Sequence, residues 1–292
     1  MTHKAGFISI IGKPNVGKST LMNALIGEKL SIITPKAQTT RHSIMGIINT
    51  DDYQVVFNDT PGIIDPQYGL QKSMMRFVDE SLEGADVVLY IAEVGEKEIP
   101  AEALQRLQKT ASPVVLALNK IDTLGQEEIV QKTEYWKGLF GFSSIVPISA
   151  LNKFNTQALL EELVRYLPVC PPYYPKDQLT DKPEKFFAAE ILREKIFFRY
   201  KKEIPYSTEV VIEQFKDEPE LLRISAVIMV ERDSQKGILI GEKGLALKNT
   251  GTAARKEMEN FFGKKVFLEM FVKVKEKWRD TKSALKEFGY DD

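Results

Sequence analysis

Residues 12–19 read Gly-Lys-Pro-Asn-Val-Gly-Lys-Ser and directly follow the apolar run Phe7–Ile11. They fit the pattern G-x-x-x-x-G-K-[ST], in which backbone N–H groups surround phosphates, the lysine reaches the outer phosphates and the hydroxyl binds Mg²⁺. The apolar run predicts a strand, and residues 19–27 predict a helix whose N-terminus favours an anion. An incidental glycine turn is the alternative, but the pattern arises by chance in only about 1% of chains of this length. The predicted ligand contacts are Gly12, Lys13, Pro14, Asn15, Val16, Gly17, Lys18, Ser19 and Thr20.

Short apolar runs alternate with helical patterns from residue 5 to about residue 166. Continuous runs such as Val87–Ile91 suit strands that are buried on both faces, so this region predicts an α/β domain with a mostly parallel, doubly wound sheet. The runs Ile44–Ile48 and Tyr53–Phe57 lie too close together for a helical crossover and predict an antiparallel hairpin at one edge.

Three further polar motifs each follow a predicted strand. In Asp59-Thr60-Pro61-Gly62, the carboxylate can bind Mg²⁺ through water and the glycine N–H can meet a γ-phosphate. In Asn119-Lys120-Ile121-Asp122, the last carboxylate can accept the N1–H and 2-amino groups of guanine, which adenine does not present. Ser149-Ala150-Leu151 can offer backbone N–H groups to guanine O6. Each motif is weak alone, and their order along the chain gives them weight.

The four ordered motifs resemble the translation-factor-like class of P-loop GTPases. The resemblance implies GTP or GDP and Mg²⁺ as ligands and implies catalytic roles for Lys18, Thr40 and Gly62. It also implies a metal-binding threonine in a mobile loop, where Thr39 and Thr40 are both present. Related members place this ligand just before an arginine, which favours Thr40, although a surface loop with idle hydroxyls is the alternative. The implied metal ligands are Ser19, Thr40 and Asp59.

Ile63 stands where Ras-like GTPases have the glutamine that orients the attacking water. An aliphatic side chain cannot position water, so backbone groups, a monovalent cation or a partner must complete the site. In some related GTPases an asparagine at the position of Asn15 helps to hold potassium, which makes K⁺ an expected cofactor. Since Arg41 is the only arginine near the active loops, we expect slow hydrolysis that suits a switch.

The run Leu167–Pro175 contains four prolines and predicts a semi-rigid linker. We therefore place a GTPase domain at residues 1–168, a linker at 169–183 and a second domain at 184–292. The patterns of this second domain follow the order α-β-β-α-α-β.

A G-x-x-G loop at Gly241–Gly244 lies between two predicted helices of this domain. The arrangement resembles the α+β fold of the type II KH domain, which clamps about four nucleotides of RNA with such a loop. Residues 236–286 carry thirteen basic and six acidic side chains, within a chain of net charge −1. This excess favours phosphate contacts, and a solvated basic face is the alternative. The predicted RNA contacts are Lys236, Gly237, Ile238, Ile240, Gly241, Glu242, Lys243, Gly244, Lys248 and Arg255.

The composition excludes several other classes of site. One cysteine, Cys170, allows no internal disulfide, and two histidines make a zinc site implausible. No apolar stretch approaches the roughly 18 residues that span a bilayer. We therefore expect a cytoplasmic protein.

The combination of a GTPase, a proline-rich connector and a KH domain resembles the Era family, the KH-domain GTPases of small ribosomal subunit assembly. Gln38–Arg41, Asp59–Ile63 and Val230–Gly237 carry the likeness. The resemblance implies a monomer that binds single-stranded rRNA near the 3′ end of the small-subunit rRNA, with hydrolysis promoting release from the 30S subunit. Peripheral membrane contact is also reported for this family. A binding protein with an inactive nucleotide site, and a membrane or cell-division switch with a protein or lipid adaptor domain, are the alternatives.

Overall fold

The computed structural model describes residues 3–291, which its internal contacts divide into two units. The first unit comprises the chain up to Gln67 together with Met74–Asp181. The second comprises Tyr68–Ser73 and the chain from Lys182 onwards. No helix within the described residues is long and apolar enough to cross a membrane.

The first unit is built on a six-stranded sheet of order β2-β3-β1-β4-β5-β6. All neighbouring strands are parallel except β2 and β3, so the predicted edge hairpin is confirmed. The strands are β1 (Lys4–Gly12), β2 (Ile44–Asn49), β3 (Tyr53–Asp59), β4 (Val87–Glu93), β5 (Val114–Asn119) and β6 (Ser144–Pro147). Helices α1 (Lys18–Ile26), α2 (Gly69–Glu83), α3 (Ala101–Lys109), α4 (Gln126–Lys137) and α5 (Thr156–Tyr166) alternate with them.

The central strands explain why this sheet forms. Val87 and Leu89 on β4, like Leu116 on β5, have no exposed surface, because neighbouring strands and covering helices exclude water from both faces. Parallel strands end at a common edge, so the loops that follow β1, β3, β4, β5 and β6 are brought together there.

The proline-rich segment packs along the hairpin edge of the first unit. The buried side chain of Gln54 accepts hydrogen bonds from the N–H groups of Tyr173 (2.7 Å) and Tyr174 (3.0 Å). Farther along, the Ile47 N–H on the edge strand donates to Leu179 O at 2.8 Å. The segment predicted as a linker at 169–183 therefore belongs to the first unit as far as Asp181.

The second unit has a three-stranded sheet of order β7-β8-β9, in which β8 and β9 are parallel. Its elements are α6 (Glu184–Arg199), β7 (Glu209–Asp217), β8 (Leu221–Val230), α7 (Asp233–Ile240), α8 (Leu245–Phe262), β9 (Lys265–Val274) and α9 (Lys282–Glu287). The first six confirm the predicted α-β-β-α-α-β order. Ile191, Ile228, Leu239 and Met258 form part of an apolar core of this unit.

A buried tyrosine fixes α7 against α8 inside this core. The Tyr200 hydroxyl donates to Leu239 O at 2.8 Å and lies 3.2 Å from the Thr250 hydroxyl. Burial raises the pKa of this phenol, with the bond to Thr250 opposing the shift. Tyr200 thereby links the ends of the two helices that flank the G-x-x-G loop.

We expect Tyr200→Phe to destabilise the second unit by about 1–2 kcal/mol, because the carbonyl of Leu239 loses its buried donor. Each unit holds one fully buried tryptophan, Trp136 in the first and Trp278 in the second. Denaturant unfolding of the full chain in a Trp136→Phe background therefore isolates the second unit. The control is Tyr135→Phe in the first unit, which removes a surface hydrogen bond from the Tyr135 hydroxyl to Lys97 O and should leave the Trp278 transition unchanged. An unchanged Trp278 transition in Tyr200→Phe would contradict the assignment.

Candidate nucleotide site and RNA interface

A cavity of about 300 Å³ lies at the carboxyl edge of the first sheet. Predicted contacts that line it are Pro14, Asn15, Gly17, Lys18, Ser19, Thr20, Thr40, Gly62 and Lys120. Sequence reasoning missed Ile32, Ile33, Thr34 and Pro35, which also line it together with Gln38 and Thr39 of the Gln38–Arg41 stretch. The four missed residues precede that stretch in an irregular loop without a motif, so only the fold brings them to the site.

The phosphate-loop lysine is held inside the loop that it serves. Lys18 Nζ donates to Gly12 O at 3.2 Å and to Lys13 O at 2.8 Å. Burial lowers the pKa of Lys18 to about 8, while the carboxylates of Asp59 and Glu96 favour its charged form. The loop thus keeps a buried ammonium group at the place where phosphate oxygens are expected.

Three oxygen-bearing side chains converge beside this lysine. The Ser19 hydroxyl donates to Asp59 Oδ2 at 2.7 Å and lies 2.9 Å from the Thr40 hydroxyl. Burial raises the pKa of Asp59, opposed by the Ser19 hydrogen bond and the Lys18 charge. Its other oxygen, Oδ1, is buried without a hydrogen-bond partner.

This donor set fits Mg²⁺, which prefers oxygen ligands and binds through few carboxylates together with water and phosphate. Both candidate threonines line the cavity, and Thr40 is the one whose hydroxyl lies beside Ser19. The Thr39 hydroxyl instead donates to Lys36 O at 2.7 Å and lies 2.6 Å from the Thr34 hydroxyl. Residues 3–291 contain no group of three or more His, Cys, Asp or Glu side chains that could hold a metal.

The segment that begins at Asp59 packs tightly on the phosphate loop. A Cβ atom on Gly62 would lie only 2.6 Å from Pro14 N, so a glycine is required for this close approach. The Ile63 N–H donates to Gly12 O at 3.0 Å, and the Ile63 side chain is buried. The Thr60 hydroxyl donates to Ile10 O at 2.7 Å.

The base-recognition motifs meet at the other end of the site. Asn119 Nδ2 donates to Val16 O at 2.8 Å, and Asn119 Oδ1 accepts the Ala150 N–H at 2.9 Å. Ser149 Oγ donates to Asp122 Oδ1 at 2.5 Å, which orients the carboxylate proposed to read guanine. Leu151, also a predicted contact, is 77% exposed.

The G-x-x-G loop connects α7 to α8 in the second unit. Gly241 and Gly244 have φ angles of 71° and 76°, which disfavour other residues. A Cβ atom on Gly241 would lie 2.5 Å from Ala246 Cβ, whereas one on Gly244 would meet nothing within 4 Å. Lys243, between them, is exposed.

The predicted RNA contacts differ in how exposed they are and in whether their charge is already paired. Ile238 is 51% exposed beside the loop, and Ile240 is partly buried against the core. Arg255 is ion-paired with Glu259 at 2.7 Å. Four other bases counted in the sequence, Lys264, Lys273, Lys275 and Arg279, also pair with acids. Lys236, Lys243 and Lys248, which lie beside the loop, have no ion-pair partner among the described residues, so their charge is available there.

Asp122→Asn is expected to weaken GDP binding by about a hundredfold, because hydrogen bonds to a charged acceptor each contribute about 1.5–3 kcal/mol. The new amide can donate to the 2-carbonyl of xanthine, so xanthosine diphosphate should bind this variant more tightly than GDP. Calorimetric titration with both nucleotides measures this exchange. Asp52→Asn, an exposed change on the hairpin, is the control. GDP affinity within threefold of the parent would refute the role of Asp122.

Comparison with known proteins places both units in known families. Residues 7–120 match the family model described as 50S ribosome-binding GTPase, and residues 203–279 match the KH domain model. The chain is 47% identical to GTPase Era of Syntrophus aciditrophicus, across 99% of this chain and 96% of the relative. It is also 47% identical to GTPase Era of Geotalea daltonii, across 98% of both chains.

The fold of the whole chain matches solved structures as well. A crystal structure of Era in complex with MgGDPNP and nucleotides 1506–1542 of 16S ribosomal RNA has a TM-score of 0.93 and 39% identity. The match covers 99% of this chain and all of that one. Era of Aquifex aeolicus bound to GDP·AlF4⁻ gives the same values. This chain therefore belongs to the Era family and is a GTPase.

Proposed function

We propose that this protein is a GTP-dependent switch that binds small-subunit rRNA near its 3′ end and assists assembly of the 30S subunit. The observation that carries the proposal is the solved relative that holds MgGDPNP and 16S rRNA nucleotides, since it matches this chain from end to end. Both halves of such a switch are present here, a guanine-nucleotide site in the first unit and a KH loop in the second.

The small subunit is the more specific partner for this chain. The family model named for the 50S subunit covers residues 7–120 and ends before the KH domain. The KH match covers the part that carries the RNA loop. The 16S RNA of the solved relative belongs to the small subunit, and it therefore supplies the partner of this proposal.

In the GTPase reaction, water attacks the γ-phosphate of GTP and releases GDP and phosphate. Lys18 and the backbone of residues 12–19 would bind the phosphates, and Asn119, Asp122 and Ala150 would bind the base. Ser19, Thr40 and Asp59 would hold Mg²⁺, which neutralises phosphate charge when bound. Ile63 is buried and has no polar atom on its side chain, so it cannot orient the water.

Potassium is the proposed monovalent cofactor at the same site. The exposed Asn15 side chain donates from Nδ2 to Pro35 O at 3.2 Å, which brings two neutral oxygen-bearing groups to the mouth of the cavity. Carbonyl oxygens of this kind replace the hydration shell of K⁺ in proteins.

We therefore expect faster GTP turnover in K⁺ than in Na⁺ at equal ionic strength. Asn15→Ala should bring the ratio of the two rates close to one, while Asn260→Ala, an exposed asparagine of the second unit, should retain it. Equal rates in the two salts for the parent protein would exclude potassium as a cofactor.

RNA binding is assigned to the loop between α7 and α8 because three features coincide there. Gly241 and Gly244 leave two positions of the turn without a side chain, the N-terminus of α8 follows directly, and Lys236, Lys243 and Lys248 supply charge. Of the two glycines, Gly244 is the better site for mutation, because an added Cβ meets no neighbouring atom.

Gly244→Asp is expected to weaken binding of a labelled single-stranded RNA from the 3′ end of small-subunit rRNA by about tenfold or more, since a carboxylate would face the phosphates. The parent protein should bind this RNA more tightly with a GTP analogue than with GDP. Fluorescence anisotropy in each nucleotide measures both effects.

The opposite end of α8 supplies a matched control for this substitution. Gly263 has a similar φ of 66° and also leaves open space for a Cβ. Gly263→Asp introduces the same charge and strain about 27 Å away along the helix. Equal losses in both variants would contradict the loop as the binding site, and equal RNA affinity in GTP analogue and GDP would contradict the switch.

A further inference from the structure

Two carboxylates stand close to the nucleotide site, where their charge alone would repel the phosphates of a nucleotide. Glu93 ends β4, and Glu96 follows it in a tight turn closed by a hydrogen bond from the Glu96 N–H to Glu93 O at 2.9 Å. Glu96 Oε1 in turn accepts the Glu93 N–H at 3.0 Å. The repulsion between these carboxylates and a bound anion must be offset by some other contribution to the site.

Each carboxylate is paired with a lysine of a different nucleotide-binding motif. Glu96 Oε2 lies 2.9 Å from Lys13 Nζ, and the Glu96 side chain is only 7% exposed. Glu93 Oε2 accepts a hydrogen bond from Lys120 Nζ, and this pair is partly exposed. One short turn therefore contacts both the phosphate loop and the base-recognition motif.

Both lysines belong to segments that form the nucleotide site, so fixing their side chains also fixes the groups that contact the nucleotide. The carbonyl of Lys13 accepts a hydrogen bond from the phosphate-binding Lys18. Lys120 lines the cavity and has a φ of 67°, a backbone conformation that persists only where the surroundings hold it.

We propose that the turn Glu93–Glu96 is a positioning element of the nucleotide site, in which Glu96 holds the phosphate loop through Lys13 and Glu93 holds Lys120 at the base. The turn slows release of guanine nucleotide by fixing these lysines. Neither glutamate touches the ligand in this role.

The test uses glutamine substitutions and the release rate of a fluorescent GDP derivative from the full chain. Glutamine removes the charge but retains an oxygen that can accept the Glu93 N–H. We expect about tenfold faster GDP release for Glu96→Gln, because the carboxylate that it removes is buried. We expect about threefold faster release for Glu93→Gln, because that carboxylate is partly exposed. Glu98→Gln removes an exposed carboxylate from the same loop and is the control.

The direction of the change in GDP release rate distinguishes a positioning role from simple charge repulsion. If the glutamates act only through their charge, all three variants will release GDP more slowly than the parent, which would overturn the proposal. Unchanged release in Glu93→Gln and Glu96→Gln would overturn it as well. Thermal unfolding of each variant checks that the fold is intact, and Glu93→Gln, at a partly exposed position, keeps the test valid if Glu96→Gln unfolds.

Double-mutant cycles then test whether each glutamate acts on nucleotide release through its assigned lysine. Glu96→Gln should add nothing in a Lys13→Met background, and Glu93→Gln should add nothing in a Lys120→Met background. Additive effects in either cycle would overturn the assigned lysine contact. For Glu96 they would instead assign the effect to Lys18, whose charged form Glu96 also favours.

Discussion

The buried carboxamide of Asn119 is the interaction on which the nucleotide site depends. One side-chain group donates to the phosphate loop at Val16 O and accepts from the loop after β6 at Ala150 N–H. Because Asn119 is 2% exposed, loss of either bond would leave a buried backbone group without a partner. This residue therefore sets the spacing between the phosphate end and the base end of the site.

Around this anchor, the site groups form hydrogen bonds with one another. Lys18 is bound by loop carbonyls, and Ser19 links Asp59 to Thr40. Phosphate and metal would replace some of these internal partners. Side chains that are already held in place lose less conformational freedom on binding than free ones, which favours association with the nucleotide.

Sequence patterns predicted the architecture well, because local periodicity and strand spacing determine it. The hairpin of β2 and β3, the parallel sheet and the α-β-β-α-α-β order of the second unit all follow from such patterns. The four motifs met at one sheet edge because each followed a parallel strand.

Contacts between distant residues could not be predicted in this way. The basic side chains of residues 236–286 outnumber the acidic ones of the same stretch, yet Lys264 and Lys273 pair with Asp217 and Glu213 across the sheet. Glu96 carried no recognisable signal, because its position beside Lys13 arises only when β4 aligns with β1. The prolines of Leu167–Pro175 predicted a linker at 169–183, whereas the contacts of Gln54 show that this segment has defined partners in the first unit.

The packing of that segment also affects how copies of the chain meet one another. β2 is an edge strand, and an uncovered edge offers unpaired backbone groups to any passing strand. The carbonyl of Leu179 accepts one of these backbone N–H groups. The Gln178 carbonyl and the Asp181 carboxylate accept hydrogen bonds from neighbouring residues of the same strand. A protein shortened at residue 168 would expose this edge, so the proline-rich segment guards against self-association through strand pairing.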